Sequence, residues 1–414
     1  MSEWRKIMKK RRVILLLAMV VAIAGVISVM VMIGEDSSNL NLVNATVNST
    51  TALQEIQVVE QTTTAKVNNK KITGQSREGI SFTKKKSDIN LAVDKHSSIN
   101  VVWAKIKNAD GYQIQYSTQS DFKKSKNKNA VKNKKKTKIN VSKAEKNYYI
   151  RVRGYKKIGK NKYFSLWSPS VTVIRWNPKW EFAKFSKIHT GSAILYRSQG
   201  NKKKTVCVNA GHGTSGGESQ KTLCHPDGSK KVTGGSTASG AVTATSINGG
   251  TSLNNGKSEA SANLELALLT KKKLLKAGYN VLMVRETSDS RLDNIARTVM
   301  ANNNADYHIS IHYDSSSSNK GAFYIGVPNV SSYKKMYPVS KNWKKHEKLG
   351  KGIISKMKSL GVKVYGSGRM GIDLTQTSYS TIPSVDLEVG DKASNYSKKS
   401  LNKIATAISK GIKN

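Results

Sequence analysis

The 414-residue chain has only two cysteines, Cys207 and Cys224, which excludes a disulfide framework and any cysteine-rich zinc module. The two either pair as one bridge across a glycine-rich turn or stay reduced. The reduced reading, with Cys207 a small buried apolar residue on a strand, is preferred. Acidic residues are also scarce: 26 Asp plus Glu against 70 Lys plus Arg leave a net charge of +44. Such a field draws polyanions, whether nucleic acid, anionic lipid headgroups or acidic wall polymers, unless most lysines simply solvate the surface. Aromatics make up 7% and are not interleaved with the basic runs, so a base-stacking platform is missing and nucleic acid is not an expected partner. Charged residues at 23% fit folded domains with lysine-rich faces rather than wholesale disorder.

One long uncharged run is present, over residues 13–34, after a basic segment at 1–12 that includes Arg5, Lys6, Lys9, Lys10, Arg11 and Arg12. At roughly 22 residues and about 33 Å as a helix, it reads as a transmembrane anchor with everything after Glu35 outside. A cleaved signal sequence, leaving a secreted wall protein, is the competing reading; its apolar core is normally shorter, about 7 to 15 residues. Residues 35–85, rich in Asn, Ser, Thr and Val, read as a flexible extracytoplasmic linker.

Over residues 86–177 the pattern turns to short alternating strands, such as Ile99-Asn-Val-Val-Trp103 and Gly111-Tyr-Gln-Ile-Gln-Tyr116, separated by Lys/Asn-rich turns. This predicts an all-β sandwich. The series W-x5-A-D-G-Y-x-I-x-Y-S from Trp103, the later Tyr148-Tyr-Ile-Arg-Val-Arg-Gly-Tyr155 and Trp167-Ser168 resemble a bacterial fibronectin type III module. That resemblance implies packing roles for Trp103, Tyr112 and Tyr149, and a spacer or adhesion role for the module. The lysine run at 123–138 reads as a solvated loop able to touch an anionic polymer.

Pro178 and the aromatic cluster Trp180 to Phe185 mark a junction, and from there strands and helices alternate. Strands are expected at 206–209, 280–285, 307–312 and 383–388. Helices are expected at 258–277, 291–303 and 343–360, the second with Leu292, Ile295, Ala296 and Val299 on one face. A last helix turns Leu401, Ile404, Ala405, Ile408 and Ile412 inward. The pattern predicts an α/β domain over 178–414, a twisted, mostly parallel sheet flanked by helices, interrupted by a glycine- and threonine-rich insertion at about 216–257.

In such sheets ligands gather at the carboxyl ends of the strands. His212 lies just beyond the first of these strands, His312 ends the third and Glu388 ends the fourth, while Glu259 opens the helix after the insertion. Two histidines and a carboxylate with one open position are a usual set for catalytic zinc. His308 and His312 are about 13 Å apart along a strand and cannot share an ion, so His308 reads as a packing residue. His225 lies in the insertion and is a weaker ligand candidate; His96, His189 and His346 read as structural or surface residues. The glycines beside His212 read as room for a bulky substrate.

Taken together, Asn209-Ala-Gly-His-Gly213, Glu259-x-x-x-Asn263-Leu264, Arg285-Glu-Thr-x-Asp289, Arg297-x-x-x-Ala301-Asn302 and Ile382-Pro-Ser-Val-Asp-Leu-Glu-Val-Gly390 resemble the type-3 zinc-dependent N-acetylmuramoyl-L-alanine amidases over residues 200–414. The resemblance implies His212, Glu259 and His312 as zinc ligands, with Glu265 the runner-up for the middle position, and Glu388 as the catalytic glutamate. It implies hydrolysis of the amide between N-acetylmuramic acid and L-alanine of peptidoglycan by a zinc-activated water. The alternatives are a non-catalytic wall-binding protein and a zinc peptidase cutting within the stem peptide. The chain departs from the family pattern at Asn209-Ala210, where Asp-Pro is usual, at Tyr313-Asp314 after the second histidine, and at Asp391, where an aromatic is common.

Overall fold

The computed structural model describes residues 14–15, 27–34, 40–47, 89–94, 98–141, 145–200 and 202–412. The basic segment 1–12, most of the expected linker, and His96 lie outside the described residues. The chain divides into two compact units, Met1–Phe82 with Tyr155–Ser165, and Thr83–Gly154 with Leu166–Asn414.

In the first unit Ile14–Leu15, Ile27–Gly34 and Leu40–Val47 form an antiparallel three-stranded sheet, with Ile27 opposite Val47 and Gly34 opposite Leu40. No helix among the described residues is long and apolar enough to cross a membrane. The anchor expected over 13–34, the single-pass membrane placement and the membrane contact built on it are therefore corrected. An apolar run does not by its periodicity distinguish helix from strand. Here Ile27, Val29, Val31 and Ile33 put β-branched residues at alternate positions, a pattern that favours strand.

The second unit begins with two facing layers of strands. Ile89–Asp94, Ser98–Trp103 and Lys136–Asn140 form a small antiparallel sheet. Gly111–Ser117, Ser125–Val131, Tyr148–Ile158 and Val171–Ile174 belong to the other layer. Ile99, Val101, Trp103, Tyr112, Ile114, Ile150 and Val152 are buried, and the rings of Trp103 and Tyr112 meet at 5.3 Å. Tyr149, expected in this core, is half-buried; Tyr148 points inward with Ile150 and Val152, because successive strand residues face opposite sides.

The second layer continues into the α/β part, since Val171–Ile174 pairs antiparallel with Ala193–Tyr196. Beyond Ala193–Tyr196 the strands run in the order Asn280–Met283, Thr205–Ala210, Tyr307–Asp314, Ser384–Asp391, Ala322–Gly326 and Val364–Gly371. The centre is parallel, as expected. The sheet as a whole is mixed, because Ala193–Tyr196 and Ala322–Gly326 each pair antiparallel with an inner strand. The short turn after Asp314 explains the second reversal: a parallel return needs a crossover of a dozen or more residues.

Helices Glu259–Lys276, Asn294–Asn304 and Lys398–Gly411 each start on an N-cap side chain that accepts a backbone N–H: Ser258, Asp293 and Ser397. Leu292, Ile295, Ala296 and Val299 are fully buried, and Leu401, Ile404, Ala405 and Ile408 of the last helix, with Ile412 at its C-cap, are buried. The helix expected from 343 begins at Val339, directly after Pro338.

Candidate metal centre

The Thr205–Ala210 strand is buried along its whole length and ends in Gly211-His212-Gly213. His212 adopts a left-handed backbone, φ 64°, unusual for a residue with a side chain. Two buried arginines hold the turn. Arg297 donates to the carbonyls of Ala210 at 2.9 Å and His212 at 2.6 Å, and to Asn209 Oδ1 at 3.0 Å. Arg285 donates to Ala210 and Gly211 carbonyls, both at 2.9 Å. Asn209 thus occupies the usual aspartate position as an acceptor for Arg297, and its amide donates to Ser310 Oγ at 2.8 Å.

Three ligand atoms meet at the end of this strand. Nε2 of His212 is 2.8 Å and Nδ1 of His312 is 3.1 Å from Oε1 of Glu259, and the two ring nitrogens are 3.1 Å apart. All three donors lie within 4.8 Å of one another. Nδ1 of His212 sits 2.9 Å from the Asn248 carbonyl, to which it can donate, and this turns Nε2 toward Glu259 and His312. Glu259 is the first residue of its helix, where the partial positive charge of the N-terminus favours a carboxylate. Its Oε2 accepts from the Thr251 N–H at 3.0 Å. Burial acts to raise the Glu259 pKa, but hydrogen bonds from His212 and His312 and their charges outweigh it and hold the group well below the carboxylate range. For His312 burial acts downward, and Asp386, Glu259 and Glu388 together lift it to about 10. Two imidazoles and a carboxylate facing one point suit a divalent cation such as zinc, whose charge would replace the proton that now has to be shared.

Glu388 stands opposite His312 in the register of the neighbouring parallel strand. Its Oε2, and Oδ1 of Asp386 two residues earlier on the same face, are buried without a hydrogen-bond partner. Burial pushes Glu388 well above the carboxylate range; His312 opposes this, and Asp386 and Glu259 add to it. Asp386 is likewise raised by burial. A carboxylate so placed can take up and give back a proton. All five side chains open onto one cleft of about 740 Å³.

Two glycines of the site, Gly211 in the turn and Gly250 in the insertion, make room for the ligating side chains themselves. A Cβ on Gly211 would lie 2.1 Å from His312 Cε1, and one on Gly250 would lie 2.7 Å from His212 Cδ2. Their bareness lets the ligating side chains approach one another.

The other candidates fall elsewhere. Glu265 pairs with Lys257 on the surface. His308 is buried, and its pKa is pushed down to about 3 by burial and Arg297; His346 is buried and falls to about 4. His189 stacks on Trp176. His225 joins the Asp373 cluster: Asp373 accepts from His225 Nε2 at 3.1 Å, Lys231 Nζ at 2.8 Å and the Val232 N–H at 2.6 Å. That cluster fastens the 216–257 insertion, with its Lys221–Leu223 and Thr243–Thr245 hairpin, beside the cleft. Cys207 and Cys224 are both free and buried. Among the family departures, Tyr313 packs on Tyr396, Asp314 pairs with Lys320, and Asp391 accepts the Lys320 and Ala393 N–H groups. Sequence reasoning missed Asp386 and Asp373. Alternation along the strand from Glu388 could have flagged Asp386; nothing local flags Asp373.

This domain, which brings His212 from the turn after one strand, Glu259 from a helix start, and His312, Asp386 and Glu388 from two neighbouring parallel strands to one cleft, is that of a hydrolase. The chain belongs to the N-acetylmuramoyl-L-alanine amidase family, whose model matches residues 206–414, and it is a peptidoglycan amidase. Solved structures similar to it include Ami1 from Mycobacterium smegmatis, at 17% identity over 52% of this chain and 96% of that one, with a TM-score of 0.41. Ami1 from Mycobacterium abscessus is similar at 20% identity over 50% and 96%, TM-score 0.40. An N-acetylmuramoyl-L-alanine amidase from Clostridium difficile 630 is similar at 18% over 51% and 95%, TM-score 0.36. A comparison with curated protein sequences gave no match.

Proposed function

We propose that His212, Glu259 and His312 hold a zinc ion and that Glu388 is the general base and acid for hydrolysis of the amide between N-acetylmuramic acid and L-alanine. The carrying observation is that ligand atoms from three separate segments lie within 4.8 Å of one another, with Glu388 beside them on the adjoining strand. Zinc held there would act as a Lewis acid for the lactyl amide carbonyl and make the attacking water more acidic. Glu388 takes the proton of that water as the carbon–oxygen bond forms, then returns it to the departing nitrogen of L-alanine. Its desolvated carboxyl, held at a raised pKa, suits both halves of this exchange. The Asn248 carbonyl orients the His212 ring, and Arg285 and Arg297 hold the turn that carries it.

Residues 86–177 are inferred to be a fibronectin type III-like spacer and residues 178–414 the catalytic domain. Lysine-rich faces are inferred to contact anionic wall polymers. Muropeptide analysis tests the central reading: the wild-type chain should release intact stem peptides beginning with L-alanine from purified sacculi. Fragments cut within the stem would instead make it a peptidase.

A further inference from the structure

We propose that the cleft continues across the sheet to Tyr365, whose exposed ring stacks on a sugar of the glycan strand beyond the one whose amide is cut. The choice of a sugar rests on the peptidoglycan amidase assignment.

The strand register lays out the path. His312 stands opposite Glu388 on the neighbouring strand, and Glu388 stands opposite Phe323 on the next. The Val364–Gly371 strand follows, with a bulge between the Ala322–Val364 and Tyr324–Arg369 pairs. Bulges at a sheet edge re-aim side chains, and here the Tyr365 ring comes 5.9 Å from that of Phe323. Candidate ligand, candidate base and two aromatic rings thus form one row over four adjacent strands. At about 4.8 Å per strand the row reaches roughly 14 Å from His312 to Tyr365, too far for one sugar ring to touch both. A polymeric substrate spans it.

The row runs from a closed centre to an open rim. His312, Glu388 and Phe323 line the cleft, and Phe323 is 1% exposed, whereas Tyr365 is 44% exposed. Lys320 lies over both rings, its Nζ 4.8 Å from the Phe323 centroid and 5.0 Å from that of Tyr365. The same ammonium pairs at 2.9 Å with Asp314, which ends the strand that carries His312. These contacts hold the Tyr365 ring in place beforehand, which lowers the entropy cost of binding on it. They also decide the chemistry of the rim. With Lys320 engaged by Asp314, the rim presents a ring face rather than a cation. A ring face carries the negative lobe of the aromatic quadrupole and attracts polarised C–H groups, such as those on the face of a neutral pyranose. A stem peptide bearing carboxylates finds no such match.

The test uses the full chain with three probes. One is a neutral β-1,4-linked tetramer of N-acetylglucosamine, which the lysines of the chain do not attract by charge. The others are two muropeptides with the same stem, one carried on a tetrasaccharide and one on N-acetylmuramic acid alone. Tyr365→Ala should weaken binding of the neutral tetramer about fivefold, the size of one ring-stacking contact. It should lower the ratio of kcat/KM for the long over the short muropeptide by about the same factor, through KM. Tyr365→Phe and Tyr365→Trp keep a ring face and should stay within about twofold of wild type in both readings. An unchanged ratio for Tyr365→Ala, or a loss with Phe as large as with Ala, would overturn the stacking. A loss that follows stem length, with a single sugar throughout, would overturn the choice of a sugar and make the rim a peptide subsite. If neither muropeptide is cut at the amide, the amidase assignment fails, and binding of the neutral tetramer still decides for or against Tyr365.

Discussion

Nε2 of His212 and Nδ1 of His312 face each other at 3.1 Å with Oε1 of Glu259 between them. Two imidazole lone pairs rest that close only when a proton or a cation sits between, and the carboxylate sets the sign of what belongs there.

The purified chain should therefore hold a single zinc ion. Removing it with a chelator should lower the melting temperature, and free zinc at 100 times its dissociation constant should restore about 2.7 kcal/mol. His212→Ala and His312→Ala should abolish the zinc-dependent increment in calorimetry. A wild-type melting curve indifferent to zinc would count against the site.

Glu388→Gln should cut turnover on sacculi by roughly 10²- to 10⁴-fold, the usual contribution of a positioned acid–base group. Zinc content and melting temperature should stay near wild type, because Glu388 stands beside the triad rather than in it. Mass spectrometry of released stem peptides reads the first, metal analysis the second.

Arg297 supports the turn from beneath, with its guanidinium spread over Asn209, Ala210, His212 and Ser290. Lysine cannot reproduce that fork. Arg297→Lys should weaken zinc by about 10- to 100-fold, as loss of an outer partner of a metal ligand commonly does. Competition with a chromogenic chelator measures it.

His308 and His346 stay neutral in the fold, with pKa values near 3 and 4, but protonate in the unfolded chain near 6.5. Their contribution is intact above about pH 6.5 and falls as pH drops toward the folded values, by about 1.4 kcal/mol per pH unit for each. His346→Gln, which keeps an acceptor for the Ser384 N–H, should flatten the acid side of a urea-stability profile by about that slope.

For Asp373 burial acts upward, but His225, Lys231, Thr233 and the Val232 N–H outweigh it and hold the pKa well below the usual range. The stability it provides is present above the unfolded value of about 3.9 and is lost as pH falls through the folded one. Asp373→Ala should cost about 3 to 5 kcal/mol at neutral pH by leaving Lys231 and His225 unpaired in the interior. Limited proteolysis should then cut first within the 216–257 insertion, and less selectively as the medium is acidified.

Much of the site was legible because the candidates lie at or near structural boundaries: His212 just past a strand, Glu259 at a helix start, and His312 and Glu388 in the carboxyl-terminal halves of their strands, which run on to Asp314 and Asp391. Asp373 was not legible, since its partners lie about 140 residues away in an insertion without periodicity. The Val364–Gly371 strand was missed because Gly366, Gly368 and its final Gly371 read as loop, and only pairing with Ala322–Gly326 makes it a strand. The apolar run at 13–34 misled for the opposite reason: hydrophobicity is common to a membrane helix and a strand, and the pairing of Ile27–Gly34 with Leu40–Val47 lies outside any local pattern.

The sequence by itself determined which family the chain joins and singled out the candidate ligands, because ligand types, caps and alternation are local properties of neighbouring residues. Only the tertiary structure decided that three ligand atoms converge within 4.8 Å, that the glycines bring ligands together, that Glu388 and Asp386 sit desolvated beside them, and that one row of side chains crosses four strands from His312 to Tyr365. Distance and desolvation arise when remote segments pack, and a linear pattern does not contain them.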